Sequence, residues 1–89
     1  VKRLAWLILI LLFGGGCAQP PRAELATARG ALAQAYAAGA CRLAADDYRI
    51  AASALRGSER LVDAGNYRQA RELLPFATLR ARRALVLAL

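Results

Sequence analysis

Apolar positions follow two patterns along this chain. From Leu4 to Phe13 they run without interruption, and from Arg22 onward they recur at intervals of three and four residues. The second pattern is that of helices that each bury one stripe. In a first helix Leu25, Ala28, Leu32 and Ala35 share a stripe, and Gly39 supplies a stop after Ala38. A second helix opens at Asp46 and Asp47, whose carboxylates suit the free amides and the positive end of a helix. It runs with Tyr48, Ala51, Ala52, Leu55, Ser58 and Val62 on one side and ends at Gly65-Asn66, two residues that tolerate the left-handed backbone of a tight turn. The third is the most regular, with Tyr67, Ala70, Leu74, Ala77, Ala81, Ala84 and Ala88 in strict three-four alternation. That is a coiled-coil-like seam, and because it is mostly alanine it allows helix axes to approach toward the lower end of the usual range, about 8 Å. Pro75 falls inside it. A proline in a helix interior costs about 3 kcal/mol, which predicts a kink near Arg71 to Pro75 or two shorter helices. The expected fold is all-α: a signal-peptide helix followed by a short three-helix antiparallel bundle or hairpin.

The first pattern carries an address. Lys2 and Arg3 precede the apolar run, and Gly14-Gly15-Gly16-Cys17 follows it. A basic start, an apolar stretch and small residues are the order of a secretory signal peptide. Ten residues of helix cover only about 15 Å, half of a bilayer core of about 30 Å, so the run is short for a membrane span. Small residues before a cysteine let an extended chain enter a peptidase, and the thiol is the nucleophile that accepts a diacylglyceryl group. This stretch resembles the lipobox of bacterial lipoproteins, with Gly14 where that pattern usually has leucine. The resemblance implies cleavage between Gly16 and Cys17, a covalent lipid on Cys17, and a location in the cell envelope attached through the lipid anchor. More than one acyl chain gives stable anchoring. Ala18 in place of an aspartate after Cys17 points, by analogy with sorting in diderm bacteria, to the outer membrane rather than the inner one. The plainer reading is an unmodified cysteine after an ordinary signal peptide. The expected organisation is a lipoprotein signal peptide over 1–16, an acylated cysteine and proline-rich tether over 17–21, and an alanine-rich helical domain over 22–89.

Composition narrows the function. The 89 residues include 22 alanines and 16 leucines but six aromatics, which leaves little area to bury per residue and excludes a large enzyme core. Thirteen Lys plus Arg face six Asp plus Glu. Once Lys2 and Arg3 are removed with the signal, eleven arginines and no lysine remain against those six acids, a net charge of +5. At about 100° per residue, Arg68, Arg71, Arg82 and Arg83 gather opposite the alanine seam together with Glu72. Guanidinium forks suit phosphate geometry, so this face is a candidate for anionic headgroups or phosphate groups of envelope polymers, the alternative being an ordinary solvated face. Nucleic acid is an unsuitable partner for an exported chain.

A second resemblance arises at the turn into the third helix. Ala38-Gly39-Ala40, then Ala51 and Leu55, then Gly65-Asn66-Tyr67 followed by Ala70, Leu73 and Ala77 resemble a family of small alanine-rich bacterial lipoproteins built around a domain of unknown function. The likeness covers about Glu24 to Ala88 and departs at Ala45, where the family often has proline, and at Pro75, where its helix runs unbroken. It implies a helical envelope domain and no activity. Gly65-Asn66-Tyr67-Arg68-Gln69-Ala70-Arg71 also looks like the turn and second helix of a tetratricopeptide repeat, but no second copy occurs at the repeat period, and such units need stacking neighbours.

Catalytic chemistry finds few residues to work with. The absence of histidine removes nucleophile-histidine pairs and histidine metal sites, and two cysteines are too few for a four-cysteine zinc site. No metal, no cofactor and no enzyme activity are expected. Glu59 and Asp63 are four apart, but Arg56 and Arg60 stand three residues before them, as in a solvated ion-pair face. With Cys17 acylated, Cys41 is the remaining thiol, either packed as a small apolar residue or bridging two chains in an oxidising compartment. The expected function is that of a membrane-anchored helical structural or protein-interaction module. Its partners are an envelope protein, or a second copy, met through the seam of Tyr67, Ala70, Leu74, Ala77, Ala81 and Ala84 or through Cys41.

Overall fold

The computed structural model describes residues 19–89, so the signal-peptide helix expected over 1–16 lies outside the described residues. The rest is all-α, with four helices and no strand among the described residues. They are α1 (Arg22–Ala37), α2 (Ala40–Leu43), α3 (Ala45–Asp63) and α4 (Tyr67–Ala88). The three long helices correspond to the three periodic segments.

The stops follow from backbone chemistry. Gly39 and Gly65 adopt the left-handed conformation, at φ 84° and 81°, where a side chain would be strained. After α3 the Gly65 amide donates to the Val62 carbonyl (3.0 Å) and the Asn66 amide to that of Leu61 (2.7 Å). This crossed pair satisfies the last carbonyls of the helix. Asn66, expected to share the left-handed turn, has φ −87° instead, because one glycine is enough to reverse the chain. After Gly39 the sequence pattern predicted only a break, whereas the chain makes one more turn of helix, α2, whose Ala44 amide donates to the Ala40 carbonyl (2.9 Å). Ala40 and Ala44 are buried there, so the turn closes the end of the bundle.

The core shows how the helices run. Leu25 at the start of α1, Leu55 late in α3 and Leu74 early in α4 pack in one cluster with Ala28, Ala54 and Ala77. Ala35 at the end of α1, Ala40, Ala44 and Ala84 late in α4 pack in another. Between them Ala31, Ala51 and Ala81 meet, one from each helix. So α1 and α4 are parallel and α3 runs against both. Among the three long helices the most extensive packing is α3 on α4, then α1 on α4, with α1 and α3 touching least. The seam of α4 is the spine: Ala70, Leu74, Ala77, Ala81 and Ala84 are each at most 2% exposed. The stripe expected on α3 is shifted, with Ala54 buried and Ala52 only half-buried. The reason is that α3 must serve two neighbours, so its buried face is centred between them.

Pro75 does not break α4. The helix is continuous from Tyr67 to Ala88 with Pro75 inside and exposed. Its missing amide removes the bond to the Arg71 carbonyl. On either side Leu74 and Ala77 are locked into the same core cluster, and this packing outweighs the local loss. The ring is off the seam and lines the open groove between α1 and α4.

Each buried leucine contributes more area to this core than any of its alanines. Leu74→Ala is expected to lower stability by about 2–5 kcal/mol, whereas Leu79→Ala, at a side chain 65% exposed, changes it by less than about 0.5 kcal/mol. Urea unfolding of the two variants measures this, and equal effects would contradict the assigned orientation of α4.

Candidate functional site

The expected tether is folded onto the bundle as far as it is described. Gly16 and Cys17, the residues expected to carry cleavage and the lipid, lie outside the described residues. Pro21, by contrast, is fully buried. The Pro20 carbonyl accepts from the Arg22 amide (2.8 Å) and the Pro21 carbonyl from the Leu25 amide (3.0 Å). Two prolines in succession bring no amides that need partners, while their carbonyls start the hydrogen-bond ladder of α1. The Arg71 guanidinium reaches across from α4 and donates to the Gln19 carbonyl. The chain therefore leaves the bundle at a defined place, beside the first turns of α4.

The seam is not on the surface. Ala70, Leu74, Ala77, Ala81 and Ala84 are occupied by α1, α2 and α3, and Tyr67 is half-buried. A partner or second copy reaches these residues only if the bundle opens, so the seam is the internal packing line of this chain and not a free docking surface. The physical reason is that α1 and α3 each have one apolar stripe and no other helix to bury it against.

The four arginines expected to form one anion-binding face stand on the outer side of α4, but they do not converge. Arg68 pairs with Glu72 one turn on (3.7 Å), and Arg71 holds Gln19. At the other end Arg83 reaches Asp47 (3.6 Å), while Arg82 has no carboxylate partner among the described residues. Two pairs separated by more than two helical turns make a stripe and not a pocket.

Asp47 has a role that sequence spacing did not reveal. Neither it nor Asp46 caps α3, whose first residue follows Ala44 without a side-chain cap. Asp46 accepts from Arg49 (2.9 Å), and Asp47, only 13% exposed, accepts from Arg80 (2.8 Å) as well as facing Arg83. Both acids still sit in the first turn, where the helix dipole favours them. Through Asp47 the start of α3 is tied to the last turns of α4. Arg80 also lies over the Phe76 ring, 5.4 Å from its centroid. Glu59 likewise finds a distant partner, Arg29 of α1 (3.4 Å), in place of the neighbouring Arg56. These pairings join residues thirty or more apart and leave no mark in local spacing.

At the same end, Cys41 is a free and exposed thiol. It neighbours Tyr48, whose ring lies 6.3 Å from that of Tyr36. Burial pushes the Tyr48 phenol above its ordinary value near 10, and contact with the Cys41 sulfur and the presence of Tyr36 add to the shift. Among the described residues no three metal-ligating side chains come together. The grooves are open and shallow. One of them, about 570 Å³, runs between α1 and α4 past Glu24, Thr27, Pro75, Leu79 and Arg82.

Comparison with protein-family models, with curated proteins and with solved structures finds no match to this chain. The likeness to alanine-rich lipoproteins therefore rests on the residues that carry it.

Two expectations follow from the far end of the bundle. Asp47→Ala leaves Arg80 and Arg83 without their partner and lowers stability by about 1–2 kcal/mol, between the ranges for exposed and buried pairs, as read by urea unfolding. If Asp47→Ala unfolds with the parent, the tie carries no energy. For Tyr48 the raised value keeps the folded phenol protonated where the unfolded one ionises. Its contribution is then complete below about pH 10 and is lost as the pH climbs through the folded value. Tyr48→Phe should flatten the decline in stability as the pH rises above about 10, and an unchanged profile would refute this assignment.

Proposed function

We propose that this chain is a membrane-anchored lipoprotein of the cell envelope whose helical bundle serves as a structural or protein-interaction module without catalytic activity. The observation that carries the reading is the order of the first residues: Lys2-Arg3, the apolar run from Leu4 to Phe13, then Gly14-Gly15-Gly16-Cys17. The folded domain agrees with it by beginning close after Cys17 in sequence, with Gln19 held by Arg71 and Pro21 buried. Among the described residues no helix is long and apolar enough to cross a membrane, and in this reading attachment falls to the lipid on Cys17. The resemblance to alanine-rich envelope lipoproteins agrees with this placement, and Ala18 favours the outer membrane in a diderm cell. The bundle presents shallow grooves and scattered charges, which suit contact with another macromolecule better than turnover of a small molecule. With the seam internal, a protein partner would meet the outer faces of the helices, and a covalent homodimer would form through the exposed Cys41.

A second reading is recognition of anionic headgroups or envelope polymers by the arginines of α4. Arg71 and Arg82 favour it, since neither pairs with a carboxylate among the described residues. Such binding weakens steeply with salt, whereas apolar helix contact does not.

Intact mass of the protein extracted from its native membrane tests the principal reading. A mass of residues 17 to 89 plus acyl groups, lost in Cys17→Ala, is the expected result. A mass that retains Val1 to Gly16 without acyl groups would overturn it.

A further inference from the structure

The described residues expose eight large apolar side chains, and five of them, Phe76, Leu79, Val86, Leu87 and Leu89, lie on α4 or just after it. They are not on the seam. Pro75, Leu79 and Val86 follow one another at four and seven residues, on the side of α4 opposite Ala70 to Ala84. Arg68, Arg71, Arg82 and Arg83 alternate with them along the same side. Thus α4 has two apolar lines, one facing the core and one facing outward, and a helix packed in a bundle needs only the first.

Charge and position identify what covers the second. Of the five arginines of α4, Arg82 has no carboxylate partner and Arg71 meets only the Gln19 carbonyl among the described residues, whereas Arg68 pairs with Glu72, and Arg80 and Arg83 with Asp47. Apolar side chains interleaved with arginines are the composition of a helix that lies in a membrane interface, where Leu and Val enter the acyl boundary and guanidinium groups reach the phosphates. The second argument comes from the point where the chain leaves the bundle. Gln19 is bonded to Arg71 of α4, and Cys17 is two residues earlier, a reach of at most about 7 Å. The described chain thus begins against Arg71, and the lipid expected on Cys17 would attach within that reach of Gln19.

We propose that α4 lies along the surface of an anionic bilayer, with Leu79 and Val86 inserted at the level of the upper acyl chains and Arg71 and Arg82 on lipid phosphates. The bundle then lies on its side, with α1 and α3 above α4. This rests on the lipoprotein reading, because the lipid on Cys17 holds α4 at the surface.

The full chain, carrying Cys41→Ala and a single new thiol from Leu79→Cys, Val86→Cys or Gln34→Cys, is purified in its acylated form. It is labelled with bimane and reconstituted into phosphatidylglycerol and phosphatidylcholine vesicles that hold a spin label on the acyl chain. Quenching at positions 79 and 86 is expected to exceed that at position 34, on the exposed side of α1, by several-fold, and to fall by half or more in vesicles of phosphatidylcholine alone. Circular dichroism of each variant confirms the fold, and intact mass of the same sample reports the lipid on Cys17. Equal quenching at all three positions of an acylated chain overturns the proposal and leaves the anchor standing. An unacylated mass removes the anchor and the proposal together. Crosslinking between position 79 of two copies, in place of quenching, assigns the outer line to a dimer and overturns it as well.

Discussion

The whole fold depends on how closely α1 and α3 approach α4. Ala70, Ala77, Ala81 and Ala84 give that helix a line with almost no relief, so its neighbours come near enough for alanine to meet alanine, as Ala31, Ala51 and Ala81 do. Each such contact buries little area, and the energy comes from the number of close contacts and from the few leucines among them. Any side chain longer than a methyl group in the middle layer would push two helices apart at once. This constraint explains why α4 is continuous through Pro75: the helix is held by its neighbours on both sides of the proline, and propensity within the helix is a smaller term.

A core of this kind places weight on ties between helices. Asp47 joins the start of α3 to the end of α4, Glu59 joins α3 to Arg29 of α1, and Arg71 joins α4 to the residues before α1. Each tie fixes the position of one helix along another, which smooth alanine surfaces specify weakly. The arginines are thus divided between holding the bundle and facing outward, and their number alone is not a measure of how much charge the surface offers to a partner.

What was legible in the sequence is what depends on local periodicity. The seam from Tyr67 to Ala84 and the stops at Gly39 and Gly65 are set by residue spacing and by a backbone angle that glycine tolerates, so they can be read without knowing the fold. The short α2, the burial of Ala54 and Pro21, and the carboxylate partners of Arg80 and Arg29 depend on which helices meet, and a linear pattern does not contain that. Pro75 does not split α4 and Asp47 does not cap α3 for the same reason, since in both places contact with another helix overrides the local rule. The outer line of α4 is present in the sequence too, at Leu79 and Val86, but its exposure follows only from the burial of the seam. Of the candidate site, the arginine positions were legible and their separation into two ends was not. The reading of Cys17 depends on the first residues of the chain alone.

The leucines are unevenly distributed along the bundle. Leu25, Leu55 and Leu74 lie at the end where the chain leaves toward Cys17, while the opposite end is packed from Ala35, Ala40, Ala44 and Ala84 with Tyr48 and Leu85 at its edge. Local opening follows buried apolar contact, so the two ends differ in their protection against exchange with solvent. The last turn of α1, the turn of α2 and the end of α4 form the part that breathes most readily, and the leucine layer stays closed until the molecule unfolds as a whole. Cys41 belongs to the breathing end, whereas the point of exit beside Arg71 belongs to the closed one. Firmness thus lies at the end that holds Gln19, and give lies at the end that carries the exposed thiol.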